Sequence, residues 1–190
     1  MKEKNKEYAL DILKEISEVV SHVDESKLEQ LTDLILEIKK AGKKVYCAGA
    51  GRSLLMIRTF SMRLMHLGLR SYVVGETATP ALEAGDLLIF GSGSGETGSL
   101  CAIQEKAEKA GARIATITRN PGSSLARCSE LAVHIPLEYA ENSIQPAGSV
   151  FEQAMLILCD AMVLRLLEKG NMLEGRDIND FIKILHTNLE

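Results

Sequence analysis

The amino-acid sequence predicts an α/β fold: a three-layer sandwich in which a five-stranded parallel sheet is flanked by helices. Three observations carry this. Five short apolar runs, KVYCAGAG from Lys44, SYVVG from Ser71, DLLIFGSGSG from Asp86, ARIATITRN from Ala112 and LAVHIP from Leu131, have the composition of strands buried on both faces. Helical windows separate several of them, and strand, helix, strand alternation with short links demands parallel pairing through right-handed crossovers. The length of 190 residues sets the expectation of a single domain over 1–190, with N-terminal helices at 3–41 and a C-terminal helical tail at 176–190.

Ahead of the first strand, Ala9, Ile12, Leu13, Ile16, Val19, Val20 and Val23 fall on one helical face over 3–23, with Lys and Glu opposite. Leu28, Leu31, Leu34, Ile35 and Ile38 carry a second stripe as far as Gly42, and Ser26 with Glu29 has the spacing of a capping box. The windows 53–67 and 97–110 supply helices after the first and third strands. The window 149–167 is apolar nearly all the way round, so its surplus face is expected to pack against another subunit. The tail sets Ile178, Phe181, Ile182 and Leu185 on one face beside His186, and this stripe too is expected to meet a neighbouring subunit. No repeat, low-complexity tract or interdomain linker interrupts the chain.

Composition excludes several classes of function. With 22 Lys and Arg against 26 Asp and Glu, the formal net charge is −4, the wrong sign for a protein that must neutralise the phosphates of a duplex. Aromatics make up 4 % with no Trp, which argues against stacking platforms for single-stranded bases. The longest apolar stretch, 154–167, contains Asp160 and Arg165 and falls short of the roughly 18 to 20 residues of a membrane span. The charged N-terminus does not read as a secretory signal, so a cytoplasmic protein is expected. Cys47, Cys101, Cys128 and Cys159 lack metal-ligand spacing and are expected to be buried, reduced thiols.

The densest chemical signal is GSGSGETGS at 91–99, which follows an apolar strand and precedes a helix. Glycines permit the sharp turn, the helix N-terminus offers free amides and a positive dipole end, and Ser92, Ser94, Thr97 and Ser99 add hydroxyl donors. This combination suits a phosphate monoester gripped from several sides, although a merely tight turn has the same composition. A P-loop is excluded because the loop has no Lys. Gly93 to Gly98 also matches the dinucleotide pattern GxGxxG, but the next strand ends without a ribose-binding acid; Arg119 stands there instead, suited only to a 2′-phosphate. A second small-residue turn, Gly49 to Ser53, ends the first strand in the same way. In an open parallel sheet both loops face one crevice, with Gly51 allowing close approach, Arg52 offsetting anionic charge and Ser53 donating to it. A solvated surface Arg is the alternative for Arg52.

GAGRS, MRLMHLG at 62–68, VVGETATP, GDLLI, SGSGET, QPAGSVFEQ and the terminal HTNLE together resemble the sugar isomerase (SIS) family of phosphosugar-binding domains, in its branch of hexulose-phosphate isomerases. The likeness runs from about Val45 to the C-terminus. It implies a flavodoxin-like domain, a homotetramer, no cofactor and no metal. It further implies interconversion of D-arabino-hex-3-ulose 6-phosphate and fructose 6-phosphate, the second step of formaldehyde fixation in the ribulose monophosphate pathway. The chain departs from the family where Leu54 replaces the usual Gly after GAGRS, and where Leu185 replaces an Arg before the His.

Moving a carbonyl by one carbon requires a base, donors for the enediolate and a grip on the phosphate. Glu152, at the start of the long apolar helix, is the candidate base, in the manner of the glutamate of triosephosphate isomerase; a first-turn Glu that complements the helix dipole is the alternative. The resemblance favours catalysis and implies that His186 reaches a neighbouring subunit's site. Gly51, Arg52, Ser53, Ser92, Ser94, Glu96 and Thr97 are the candidate substrate and phosphate ligands. Glu76 and Glu96 are secondary acids, while His22, His66 and His134 read as structural. The partner is thus a small sugar phosphate, with neither nucleic acid nor membrane. The rival function is a non-catalytic phosphosugar sensor, which needs the same hydroxyls but neither Glu152 nor His186.

Overall fold

In the computed structural model, which describes residues 4–189, the first two helices are α1 (Lys4–Ser21) and α2 (Glu25–Lys40). Residue 3, where the first helix is expected to start, and residue 190 at the end of the tail lie outside the described residues. Five strands follow: β1 (Lys44–Gly49), β2 (Arg70–Val73), β3 (Leu87–Gly91), β4 (Arg113–Thr118) and β5 (Leu131–His134). They form one sheet in the order β2-β1-β3-β4-β5, every pair parallel, with Cys47 beside both Val73 and Ile89. Helices α3 (Gly51–His66) and α4 (Gly98–Lys109) make the first crossovers, a short α5 (Ser124–Arg127) precedes β5, and α6 (Ser149–Lys169) and α7 (Ile178–Lys183) close the chain.

Strand side chains alternate between two faces, and the alternation sorts the helices into layers. Val45, Cys47, Leu87, Ile89, Ile117 and Val133 point to one side, where they pack with α1, α2, α3 and α6. Tyr46, Ala48, Leu88, Phe90 and Ile114 point to the other, against Leu100, Ala107 and Leu125 of α4 and α5. The three-layer sandwich expected from the apolar runs is therefore present. No helix is long and apolar enough to cross a membrane, among the described residues.

Several expectations are corrected by packing. The apolar circumference of α6 is covered largely by the chain's own helices, because α6 lies centrally against α1, α2 and α3. Ile157 and Leu164 remain of its surplus face, 43 % and 59 % exposed. In the tail, Ile178, Phe181 and Ile182 pack, partly buried, against the chain's own core, and Leu185 is exposed. The cap of α2 is Asp24, whose carboxylate accepts from the Ser26 amide, while Glu29 is drawn away to Arg165 and Lys169. Of the cysteines, Cys47 and Cys159 are buried, but Cys101 is only half-buried on α4 and Cys128, just past α5, is exposed. Burial pushes the Cys47 thiol up to about 12, so it stays protonated.

The amino ends of the strands are fastened by a residue that the apolar pattern does not single out. Asp86, fully buried, accepts from the amides of Lys44 and Glu83 at 2.9 Å each and lies 3.3 Å from the Lys44 ammonium. Asp86→Ala is expected to lower the thermal midpoint without touching the opposite end of the sheet, because each buried amide left unpaired costs roughly 1 to 3 kcal/mol. A calorimetric scan that leaves the midpoint unchanged would assign the carboxylate no structural role.

Candidate active site

A parallel sheet in this order reverses its winding direction between β1 and β3, and the loops that leave the carboxyl ends of those two strands open a crevice. A cleft of about 780 Å³ occupies this position. Ala50 and Ser53 line it from the β1 loop, and Ser92, Ser94 and Thr97 from the β3 loop, so the two small-residue turns do share one site. Segment 137–148 closes the other side, and Glu152 in the first turn of α6 forms part of the wall.

The serine-rich loop is shaped by its own backbone. Ser92 Oγ accepts from the Gly95 amide and Ser94 Oγ from the Glu96 amide, both at 3.2 Å. Each hydroxyl that accepts in this way keeps its proton free to donate. Gly95 has φ +66°, and a Cβ there would lie 2.0 Å from Ser123 Oγ, so the turn admits no other residue. Three helices begin at the cleft, α3, α4 and α6, and none has its N-cap side chain bonded to its own amides. By contrast α2, α5 and α7, whose first residues do not line the cleft, are capped by Asp24, Ser123 and Asp177. Helix starts left without a side-chain acceptor favour an external anion.

Glu152 is 8 % exposed, and its Oε2 lies 3.1 Å from Arg52 Nε at an angle that gives that oxygen no hydrogen bond. Arg52 also donates through Nη1 to Ser149 Oγ at 2.7 Å. The guanidinium expected to meet the phosphate is thus engaged with the candidate base, beside the cleft rather than in its lining. Gly148, in left-handed backbone with φ +91°, delivers the chain into α6; a Cβ there would stand 3.6 Å from Glu152 Oε1. A largely buried carboxylate in the cleft wall, paired with one guanidinium, is placed to exchange a proton with a ligand in the cleft.

Other candidates are placed elsewhere. The carboxylate of Glu96 turns away from the cleft to accept from the amide and hydroxyl of Ser124, both at 2.7 Å, and these bonds hold its pKa below the usual range. It shapes the loop instead of lining the site. Glu76 pairs with Arg58 at 2.6 Å in a separate depression beside β2, and Ser99 faces solvent. Gly51 starts α3 with φ +56° and does not line the cleft. His22 stacks on Tyr139, and His134 bonds the Arg119 carbonyl. His186 lies with Nδ1 3.1 Å from Nε2 of buried His66. His66 ends α3, whereas Ser53 near its start lines the cleft, so within one chain the imidazole of His186 is about 20 Å of helix from the site. Burial, with Arg63 and His186 adding to it, lowers the His66 pKa.

Arg119, Glu138, Glu141 and Gln145 also line the cleft. Sequence reading gave the last three no role, since 137–148 has no periodicity and folds as a 3₁₀ turn (Leu137–Ala140) and a loop. The signal was the Pro-Ala-Gly run at its end, which marks an approach to a helix start.

Fold and cleft together define a parallel α/β protein with a binding cleft at the switch point of its sheet, and the chain belongs to the SIS domain family, which it matches over residues 37–165. Within that family its similarity is narrower. It is 40 % identical to 3-hexulose-6-phosphate isomerase of Bacillus subtilis, covering 98 % of this chain and 100 % of that one, and 44 % identical to the enzyme of the same name from Mycobacterium gastri over 78 % and 75 %. A crystal structure from Methanococcus jannaschii, described as inferring a 3-hexulose-6-phosphate isomerase function, superposes with a TM-score of 0.78 at 34 % identity over the full length of both chains.

Proposed function

We propose that this protein is a 3-hexulose-6-phosphate isomerase that interconverts D-arabino-hex-3-ulose 6-phosphate and fructose 6-phosphate, working as a cytoplasmic homotetramer in formaldehyde fixation. The observation that carries the reading is the largely buried Glu152 carboxylate, paired with Arg52, in the wall of a cleft whose far side is a loop of hydroxyls and an uncapped helix start. Full-length similarity to isomerases of this name supports it over a sensor or a dinucleotide-binding protein.

The phosphate sits against Ser92, Ser94 and Thr97 at the start of α4, which sets the sugar chain across the cleft toward α6. Glu152 takes the proton from C2 of the 3-ketose as the C–H electron pair forms the C2=C3 bond and the carbonyl π pair moves onto O3. The C2=C3 pair then takes that proton at C3, and the O2 proton passes to O3, which leaves the C2 carbonyl and the C3 hydroxyl of fructose 6-phosphate. Arg52 and Ser53 offset the charge of the enediolate.

The test of the reaction is an NMR time course with fructose 6-phosphate in deuterium oxide: deuterium is expected at C3, with the 3-ketose as product. No exchange and no product would overturn the reading. Within it, Ser94→Ala and Thr97→Ala are each expected to raise KM at least tenfold with a smaller change in kcat, because each lost charge-assisted bond is worth about 1.5 to 3 kcal/mol. Unchanged KM in both folded variants would remove the loop from the phosphate site.

A further inference from the structure

Glu15 lies on α1, outside the cleft, yet its carboxylate is the anchor of the cleft's least regular wall. Ser143 Oγ donates to Glu15 Oε2 at 2.7 Å, Gln145 Nε2 donates to the same oxygen at 2.8 Å, and the Ile144 amide donates to Oε1 at 3.0 Å. About two turns further on, just past the end of α1, the His22 ring stacks on Tyr139 with centroids 3.6 Å apart. Both attachments hold the segment 137–145, which precedes the left-handed Gly148 and the first turn of α6 where Glu152 sits. Between His134 at the end of β5 and Ser149, this segment forms neither α-helix nor strand, so little besides α1 determines where Ser143 and Gln145 stand in the cleft.

We propose that Glu15 is a positioning residue: by gripping 143–145 through three hydrogen bonds it holds Ser143 and Gln145 against the bound sugar phosphate and sets the entry of α6, hence the placement of Glu152. This rests on the isomerase reading for its substrate, but not for its mechanics. Three donors converging on one carboxyl group favour its ionised form, which accepts at both oxygens. Burial alone would raise its pKa, but the bonds from Gln145, Ser143 and Ile144 outweigh burial and hold the carboxyl below the usual range, so the grip is intact at neutral pH. A carboxylate is the appropriate anchor because it accepts at both oxygens, whereas an amide in its place presents an amino group to the Gln145 amino group.

The test uses the full-length protein and two independent readouts. Amide hydrogen exchange of peptides spanning 137–148 reports the wall. Steady-state kinetics and calorimetric titration with fructose 6-phosphate report the site. In Glu15→Ala, exchange in that segment is expected to accelerate while the sheet is unaffected, and KM and Kd are expected to rise about tenfold. The near-isosteric Glu15→Gln, which keeps one acceptor oxygen, is expected to give an intermediate effect and guards against misfolding of the smaller variant. Adding Gln145→Ala to Glu15→Ala is expected to worsen KM by less than the product of the single effects, since both act through one grip. Unchanged exchange at 137–148, faster exchange with unchanged Kd, or fully multiplicative KM effects would each overturn the proposal. If the wild type neither binds nor converts fructose 6-phosphate, the isomerase reading fails alone, while the exchange of 137–148 still decides whether Glu15 holds the wall.

Discussion

Replacing Glu152 with Gln is expected to lower kcat by about 10² to 10⁴, the usual worth of a positioned general base, while fructose 6-phosphate still binds with nearly its original Kd. The substitution conserves volume, and Arg52 keeps its bond to Ser149, so the wall of the cleft should survive. What disappears is the only change that matters to the chemistry: a carboxylate, 8 % exposed and with Oε2 unbonded, becomes an amide that cannot take a proton. The measurement is the rate at which solvent deuterium enters C3 of fructose 6-phosphate, because this isolates proton transfer from binding and release. Exchange at the wild-type rate would assign the base to another group. The next to test would be Glu138 and Glu141, which line the cleft, rather than Glu76, which is bound to Arg58 beside β2.

The second large effect is expected for His186. His186→Ala should be nearly inactive, yet mixing it with equally inactive Glu152→Gln should restore activity. The reasoning is one of reach: His186 contacts His66 at the far end of α3, so its imidazole can serve a cleft only if that cleft belongs to another copy of the chain. In a closed oligomer with random mixing, about a quarter of the sites would combine an intact Glu152 with an intact His186 from a neighbour. Activity near that fraction of wild type, with mixed oligomers visible by native mass spectrometry, is the expected result. No rescue in the presence of such oligomers would mean that His186 takes no part in the reaction. His66→Ala distinguishes a structural from a chemical role for the imidazole pair: it removes the contact with His186 but leaves the His186 ring, and is expected to reduce activity less than His186→Ala.

The apolar exposed pair on α6, Ile157 and Leu164, is a smaller surface than the composition of that helix implied. The reason is the central position of α6. A helix with apolar residues on every side can be satisfied by several neighbours within one chain as readily as by a second chain, and sequence periodicity does not distinguish the two. The same ambiguity affected the tail, whose stripe of Ile178, Phe181 and Ile182 turned inward.

The sheet was legible in the order of residues because a strand buried on both faces and a glycine-rich turn are local patterns: each of the five runs carried its own hydrophobicity and its own ending. That locality extends to Ser92, Ser94 and Thr97, whose loop is adjacent in sequence to the strand and helix that shape it, and to Glu152, placed by the start of its helix. Side-chain partners were not legible, because they depend on which elements meet. Arg52 turned to Glu152 and Ser149, about a hundred residues away along the chain, instead of to the serine-rich loop. Glu96 went to Ser124 and Glu76 to Arg58, each carboxylate captured by the nearest donor that folding supplied. Glu15, one acid among many on an amphipathic helix, acquired its hold on the cleft wall only when α1 was packed against segment 137–145. Local pattern specifies an element and its buried face; the free energy of a buried charge or hydrogen bond depends on partners brought together from distant parts of the chain, and these exist only in the tertiary structure.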